Sequence, residues 1–401
     1  MKISLSIACL ICWSIQLCLA QINYQNDQIK TGAEQFDLYL PKLQHKRVAL
    51  VANQTSIVGN SHLLDTLLKK GVQVVKVFGP EHGFRGNASN GTEVTNEIDL
   101  ATGIPIISLY GKHKKPTKED LSDVDIVLFD IQDVGCRFYT YNITLRDIME
   151  SMIEHNKPLL VLDRPNPNGY LIDGPILDMK LKSGIGQFPV PISHGLTLGE
   201  FALMINGEGW METKQKCDLS IVKVANYHHD MMYRLPVPPS PNLNTDESIL
   251  LYPSTCLFEG IAINYGRGTD VPFTILGGPM FKGIYDFTFT PVSKPGMAED
   301  PLFQDQLCYG IDLKKIDVQA LVQSKKINIS WLKEMYANYE PKDKFFDRSQ
   351  HRQIGNIDYL VGVADFKKQI ENKVSEAEIR KSWEPGLKAY KKLRKKYLLY
   401  P

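Results

Sequence analysis

Between residues 47 and 163 the chain returns five times to one kind of segment, and that recurrence limits its fold more than any other feature. Short runs rich in Val, Ile and Leu occupy 47–52, 72–78, 105–109, 124–130 and 159–163. They mostly do not alternate apolar with polar residues, which is how strands covered on both faces read. Helical spacing fills the gaps at 62–70 and 141–155, and a shorter helix over 117–121 is predicted from Thr117-Lys118-Glu119-Asp120, which resembles a capping box. Strand–helix alternation predicts an α/β fold, a doubly wound parallel sheet with right-handed crossovers.

Thr197-Leu198-Gly199-Glu200 is a further capping box before the apolar run 201–205, and 221–224 has strand character. Four prolines within 235–244 mark either a crossing between two halves or a loop at the site. After Leu250 the texture turns Gly-, Pro- and aromatic-rich. Two helical patterns close the chain, 318–323 and 375–397; Ser375-Glu376-Ala377-Glu378 caps the second, and Pro385-Gly386 is expected to interrupt it.

Composition excludes several classes. With 43% hydrophobic and 23% charged residues among 401, the chain is an ordinary packed globular protein. Residues 1–20 read as a secretory signal: Lys2, an apolar stretch over 3–19, and Cys18-Leu19-Ala20 ahead of Gln21. Its removal takes one of 46 basic residues and none of 45 acidic ones, leaving the charges balanced. That balance argues against a general nucleic-acid or membrane-surface binder. No later run is long and apolar enough to span a bilayer, so no integral membrane association is expected. Cys136, Cys217, Cys256 and Cys308 are too scattered for a disulfide framework and contain no Cys-x-x-Cys pair. Lys388, Lys391, Lys392, Arg394, Lys395 and Lys396 read as the solvated face of a docked terminal helix, with contact to an anionic polymer as the other reading.

In open parallel sheets, ligands bind beyond the carboxyl ends of the strands. The five ends here are Asn53-Gln54-Thr55, the loop from Gly79 to Gly86, Tyr110-Gly111, the segment from Asp130 to Tyr139, and the segment from Asp163 to Gly169. All five carry polar or ionisable groups. Asn, Gln, Asp, Arg and Tyr together suit a sugar, which presents many directional donors and acceptors plus apolar faces. No G-x-G-x-x-G, P-loop, G-x-S-x-G or H-E-x-x-H occurs, and no cofactor is expected. Asp130 and Asp133 leave a magnesium site as an alternative. Glu81, framed by Gly79, Pro80 and Gly83, is the candidate general acid/base. Glu93 lies on the same long loop, and His82 is placed to tune Glu81. Two carboxyls at the scissile bond are the usual minimum for glycoside hydrolysis.

Six segments in order, GPEHGFRG at 79–86, DIQDVGCRFY at 130–139, DRPNPNG at 163–169, HGLTLGE at 194–200, PSPNL at 239–243 and GRGTD at 266–270, resemble the exo-β-N-acetylmuramidase family of peptidoglycan hexosaminidases. The likeness runs from about Gln44 to the C-terminus. It implies a Rossmann-like catalytic domain over 44–246, a smaller α+β domain over 247–401 that closes a cleft, and release of N-acetylmuramic acid from the non-reducing ends of peptidoglycan fragments. The signal-like segment over 1–20 predicts an exported chain, periplasmic or secreted.

Glu81 matches the family's acid in its loop, and Glu93 an acid further along. Residues 260–265 depart from the family pattern on the C-terminal side of the pocket. A lactyl carboxylate suits an arginine fork, and Arg85, Arg137, Arg164 and Arg267 all lie in matched motifs. Asn53, Asp130, Gln132, Asp163 and Asn166 are candidates for sugar hydroxyls, and Tyr139 for stacking on a sugar face. His194 and Asn242, also in matched motifs, complete the set. The group acting opposite Glu81 is either a second carboxylate or the substrate's acetamide. A non-catalytic wall-glycan binder and a metal-dependent hydrolase stand as alternatives.

Overall fold

The structure, a computed structural model, describes residues 22–81, 83–84, 96–347 and 357–401. In chain order, α1 (Phe36–Leu43) precedes β1 (Val48–Ala52). A small antiparallel pair, β2 (Ile57–Val58) and β3 (Ser61–His62), then leads into α2 (Leu63–Lys69). Next come β4 (Val74–Gly79), β5 (Glu97–Ile98), β6 (Pro105–Ser108), β7 (Ile126–Asp130), α3 (Tyr141–Glu154), β8 (Leu159–Leu162), α4 (Leu198–Glu208) and β9 (Leu219–Val222). Seven of the strands form one sheet in the order β5-β6-β4-β1-β7-β8-β9. All neighbours pair parallel except β5 on β6.

The apolar runs do not alternate because both faces are covered. β1, β7 and β8 are buried at every position. Ala49 and Val51 pack toward one hydrophobic cluster with α3 and α4, while Val48, Leu50 and Ala52 pack toward another with α1 and α2. Each fully buried Val, Leu or Ile in such a sheet contributes about 1.5–3 kcal/mol. Counting outward from β1, chain order proceeds through β4 and β6 on one side and through β7, β8 and β9 on the other. The reversal lies at β1, so the carboxyl ends of β4, β1 and β7 flank the crevice that such a switch point opens.

After β9 comes α5 (Asp246–Thr255). An antiparallel sheet of β10 (Ile275–Gly278), β11 (Phe287–Phe289) and β12 (Cys308–Asp312) follows, in the order β10-β12-β11. The remaining helices are α6 (Val318–Ser324), α7 (Ser330–Asn338), α8 (Ile357–Val361), α9 (Phe366–Glu371) and α10 (Glu376–Arg394). α10 and the residues after it return to the first half. Tyr390 Oη donates to the His194 carbonyl at 2.8 Å, the Leu399 N–H to Glu200 at 2.9 Å, and Tyr400 Oη to Asp163 at 2.6 Å.

Three expectations are corrected. The reciprocal Thr117–Asp120 bonds form, but 117–121 is only a turn: the Leu121 N–H reaches the Thr117 carbonyl, yet the Ser122 N–H bonds Glu119 instead of Lys118, so no second helical bond follows. Pro385-Gly386 does not interrupt α10. Pro385 sits on the exposed face, where the carbonyl it leaves unbonded can take water, and Gly386 allows close packing on Ile176. The strand expected over 221–224 is β9, two residues earlier. Cys136, Cys217, Cys256 and Cys308 are buried free thiols. Among the described residues no helix is long and apolar enough to cross a membrane.

Candidate active site

The strand ends are tied together by a continuous hydrogen-bond network. Asn53, just beyond β1, accepts the Thr55 N–H at 3.0 Å and the Thr55 hydroxyl at 2.5 Å, and donates to Tyr141 Oη at 2.9 Å. Thr55 Oγ1 in turn accepts the Gln132 N–H at 3.0 Å. Gln132, beyond β7, donates to the carbonyls of Asp133 and Pro165 at 2.8 and 2.7 Å, reaching the loop after β8. Asp130 binds Arg164 with both oxygens, at 2.6 and 2.8 Å, and Arg164 also reaches the Ile57 carbonyl. The ends of β1, β7 and β8 are thus one braced platform, built from charge-assisted and backbone-anchored bonds.

Glu81 stands at the edge of this platform, partly exposed, just past the end of β4. The Thr140 hydroxyl, from the residue that caps α3, donates to its Oε2 at 3.0 Å. Burial, then the charge of Glu81 and a hydrogen bond to it, push the Tyr110 hydroxyl up to about 12. Tyr141 is raised by burial first and by Glu81 next; Tyr139 is raised by burial above all, with Tyr141, Asp133 and Glu81 adding to it. Three phenols therefore stay protonated around one carboxyl. Tyr139 and Tyr141 meet edge to face at 5.1 Å. A partly exposed carboxyl with fixed donors, beside aromatic rings at a sheet switch point, can transfer a proton to or from a sugar oxygen.

Several expected ligand-binding groups face inward. Asn53 has no exposed surface and is committed to Thr55 and Tyr141. Asn166 donates to the Leu196 carbonyl and accepts the Asn168 N–H. Asp163 accepts from Thr197, Gly199, Tyr400 and the Arg164 N–H. Arg137 is buried and donates to the carbonyls of Pro175, Val190, Leu360 and Val361, so it is a strut to α8 where a carboxylate fork was expected. Arg267 pairs with Glu259 at 2.9 Å in the second half. Asn242 donates to the Met297 carbonyl. His194 lies under Phe201, and burial, with Arg394 and Arg137 nearby, pulls it down to about 3, so it stays neutral. His82, Arg85 and Glu93 lie outside the described residues. Among the described residues no cluster of His, Cys, Asp and Glu is placed for a metal, and the Asp130 of the magnesium alternative is occupied by Arg164.

Gly135 shows how tightly the platform is held. Its φ is +79°, and a Cβ there would strike the Asn166 side chain. Gly135→Ala is expected to destabilise the protein by about 1–3 kcal/mol and to lower activity, by displacing Asn166 or the loop. A melting temperature within about a degree of wild type would mean that the loop absorbs the change.

Two family models match: exo-β-N-acetylmuramidase NamZ, N-terminal, over residues 48–247, and the C-terminal model of the same family over 250–400. The chain belongs to the exo-β-N-acetylmuramidase family. It is 40% identical over 380 residues to the peptidoglycan β-N-acetylmuramidase NamZ of Bacillus subtilis, covering 90% of this chain and 89% of that one. A crystal structure of a DUF1343 family protein from Bacteroides fragilis superposes with a TM-score of 0.84 at 46% identity, covering 93% of this chain and 99% of its own. A second from the same organism gives 0.75 at 28% identity, covering 94% and 100%. Within this exo-β-N-acetylmuramidase fold, Tyr110 followed a predicted strand, but Thr140 and Tyr141 were not legible as site residues. Nothing in local spacing links 81 to 140; only the register of β4 with β1 and β7 brings them together.

Proposed function

We propose that this chain is an exo-acting glycoside hydrolase that releases N-acetylmuramic acid from the non-reducing ends of peptidoglycan fragments, with Glu81 as general acid/base. The observation that carries the reading is the placement of Glu81: partly exposed, beyond β4 at the switch point, held by Thr140 at 3.0 Å and flanked by Tyr110, Tyr139 and Tyr141. Family membership supports the same chemistry. Glu81 would protonate the leaving oxygen as the glycosidic C1–O bond breaks, while the group opposite it, a second carboxylate or the substrate's acetamide, attacks C1 or activates the water that does. The signal-like segment over residues 1–20 supports an exported, periplasmic or secreted enzyme of cell-wall turnover.

Incubation of the purified chain with a chromogenic β-N-acetylmuraminide and, in parallel, the matching N-acetylglucosaminide tests this directly. The expected result is cleavage of the muraminide alone, unaffected by a chelator. Cleavage of neither, with retained affinity for wall glycans, would leave a binding protein; loss of activity with the chelator would favour a metal-dependent hydrolase.

A further inference from the structure

Thr197, Thr245 and Ser375 start α4, α5 and α10 with extended backbone, and each hydroxyl accepts the N–H three residues on, from Glu200, Ser248 and Glu378. That bond satisfies one of the donors that a helix start leaves open. Thr140 stands at the same place before α3, but its ψ is 0° and its hydroxyl makes no such bond. It donates instead to Glu81 Oε2 at 3.0 Å, across 59 positions of sequence. The backbone that carries this hydroxyl is held on both sides. The Thr140 carbonyl accepts the Ile143 and Thr144 N–H groups at 2.9 and 3.1 Å. The Asn142 amide donates to the Tyr139 carbonyl at 2.8 Å and to the Arg137 carbonyl at 3.2 Å, and Tyr141 Oη accepts from Asn53 at the end of β1. Glu81, by contrast, is partly exposed just past β4. A long side chain in such a place samples several rotamers unless a partner fixes it.

We propose that Thr140 is a positioning residue of this site, whose hydroxyl forgoes capping α3 and holds the Glu81 carboxyl in one orientation for proton transfer. The proposal rests on the glycosidase reading. A carboxyl passes its proton well only when it is already aimed at the receiving oxygen, and a misplacement of about 1 Å can lower the rate about 10²-fold. A hydroxyl suits the task. It donates to the carboxylate, and it can still donate to the carbonyl oxygen once the acid carries a proton, so Glu81 keeps its direction in both states. The loss falls on α3, whose first turn has no side-chain cap and no acid of its own. The bonds of Asn142, and of Tyr141 to Asn53, brace the segment around that start instead.

Thr140→Val keeps the shape of the side chain and removes the hydroxyl, while Thr140→Ser keeps the hydroxyl. Steady-state turnover of the chromogenic muraminide and thermal melting are measured for both, and turnover also for Thr140→Val in a Glu81→Gln background. The valine variant is expected to lose about 10–100-fold in kcat, with KM within about twofold of wild type, and to melt like wild type because no cap bond is lost. Serine should restore kcat to within about threefold of wild type. In the Glu81→Gln background the same valine change should alter the residual rate by less than about threefold, since the group it holds is gone. Full turnover by Thr140→Val would overturn the proposal. So would a rise in KM at unchanged kcat, which would make Thr140 a substrate ligand, or a serine variant as slow as the valine one, which would assign the effect to packing of the methyl group. Thr140→Ala repeats the test without the branched carbon. If both it and the valine variant melt well below wild type or fail to fold, the hydroxyl serves the helix and the proposal is overturned; if only valine does, the alanine kcat is read in its place. A wild type that leaves the muraminide intact ends the glycosidase reading and the positioning role with it, whereas an active wild type beside an equally active valine variant ends the positioning role alone.

Discussion

Glu81→Gln is expected to fold and melt like wild type while losing about 10²–10⁴-fold in kcat, with little change in KM. The argument is geometric. Glutamine keeps the length of the side chain and a carbonyl oxygen for the Thr140 hydroxyl, which donates to Oε2 at 3.0 Å in the native site. The partly exposed position has room for the amide. What disappears is the ability to deliver and remove a proton. A fall confined to kcat would show that the carboxyl acts on the transition state. A rise in KM alone would show a binding role. Turnover above about a tenth of wild type would remove Glu81 from the chemistry and turn attention to Glu93.

Arg137→Met is expected to cost about 3–5 kcal/mol of stability, read as a lower melting temperature and poorer soluble yield. Its guanidinium satisfies four backbone carbonyls from three separate stretches of chain, at 2.7–3.0 Å. Burial pulls Arg137 down to about 9, which still leaves it charged at neutral pH. Gly362 packs so closely that a Cβ there would press on the guanidinium. Methionine fills part of the volume but leaves the carbonyls without donors. Arg137→Lys should recover little, since one compact ammonium cannot reach four divergent acceptors. A methionine variant that melts like wild type yet binds substrate weakly would reverse this reading and restore Arg137 as a ligand group.

These two arginine and glutamate cases show what local sequence carries. The parallel sheet was legible because strands buried on both faces must be apolar throughout, and β1, β7 and β8 are. The location of the site was legible for the same reason, since topology directs ligands to strand ends. The direction in which each polar side chain points was not. Asp163 finds Tyr400 from 237 positions away, and Arg137 finds Val361 from 224 away. No window around 163 or 137 contains those partners, so an Asp or Arg that braces the fold looks like one that meets a ligand. The antiparallel edge strand β5 was missed because its two residues, Glu97 and Ile98, are both exposed. The helix expected over 117–121 stops at one turn because the Ser122 N–H bonds the Glu119 carbonyl three residues back and the chain turns away toward β7.

The return of residues 399–401 to the first half ties the two halves into one cooperative unit. Asp163 and Glu200 sit beside the platform that carries the site, and part of their hydrogen bonding comes from Tyr400 and Leu399. The backbone N–H of His229 is likewise satisfied by the carbonyl of Pro401. Without residues 399–401 the first half lacks these donors and acceptors. Two stretches that look separable along the sequence therefore share their buried hydrogen bonds, and loosening residues 399–401 would leave Asp163, Glu200 and the His229 N–H short of partners.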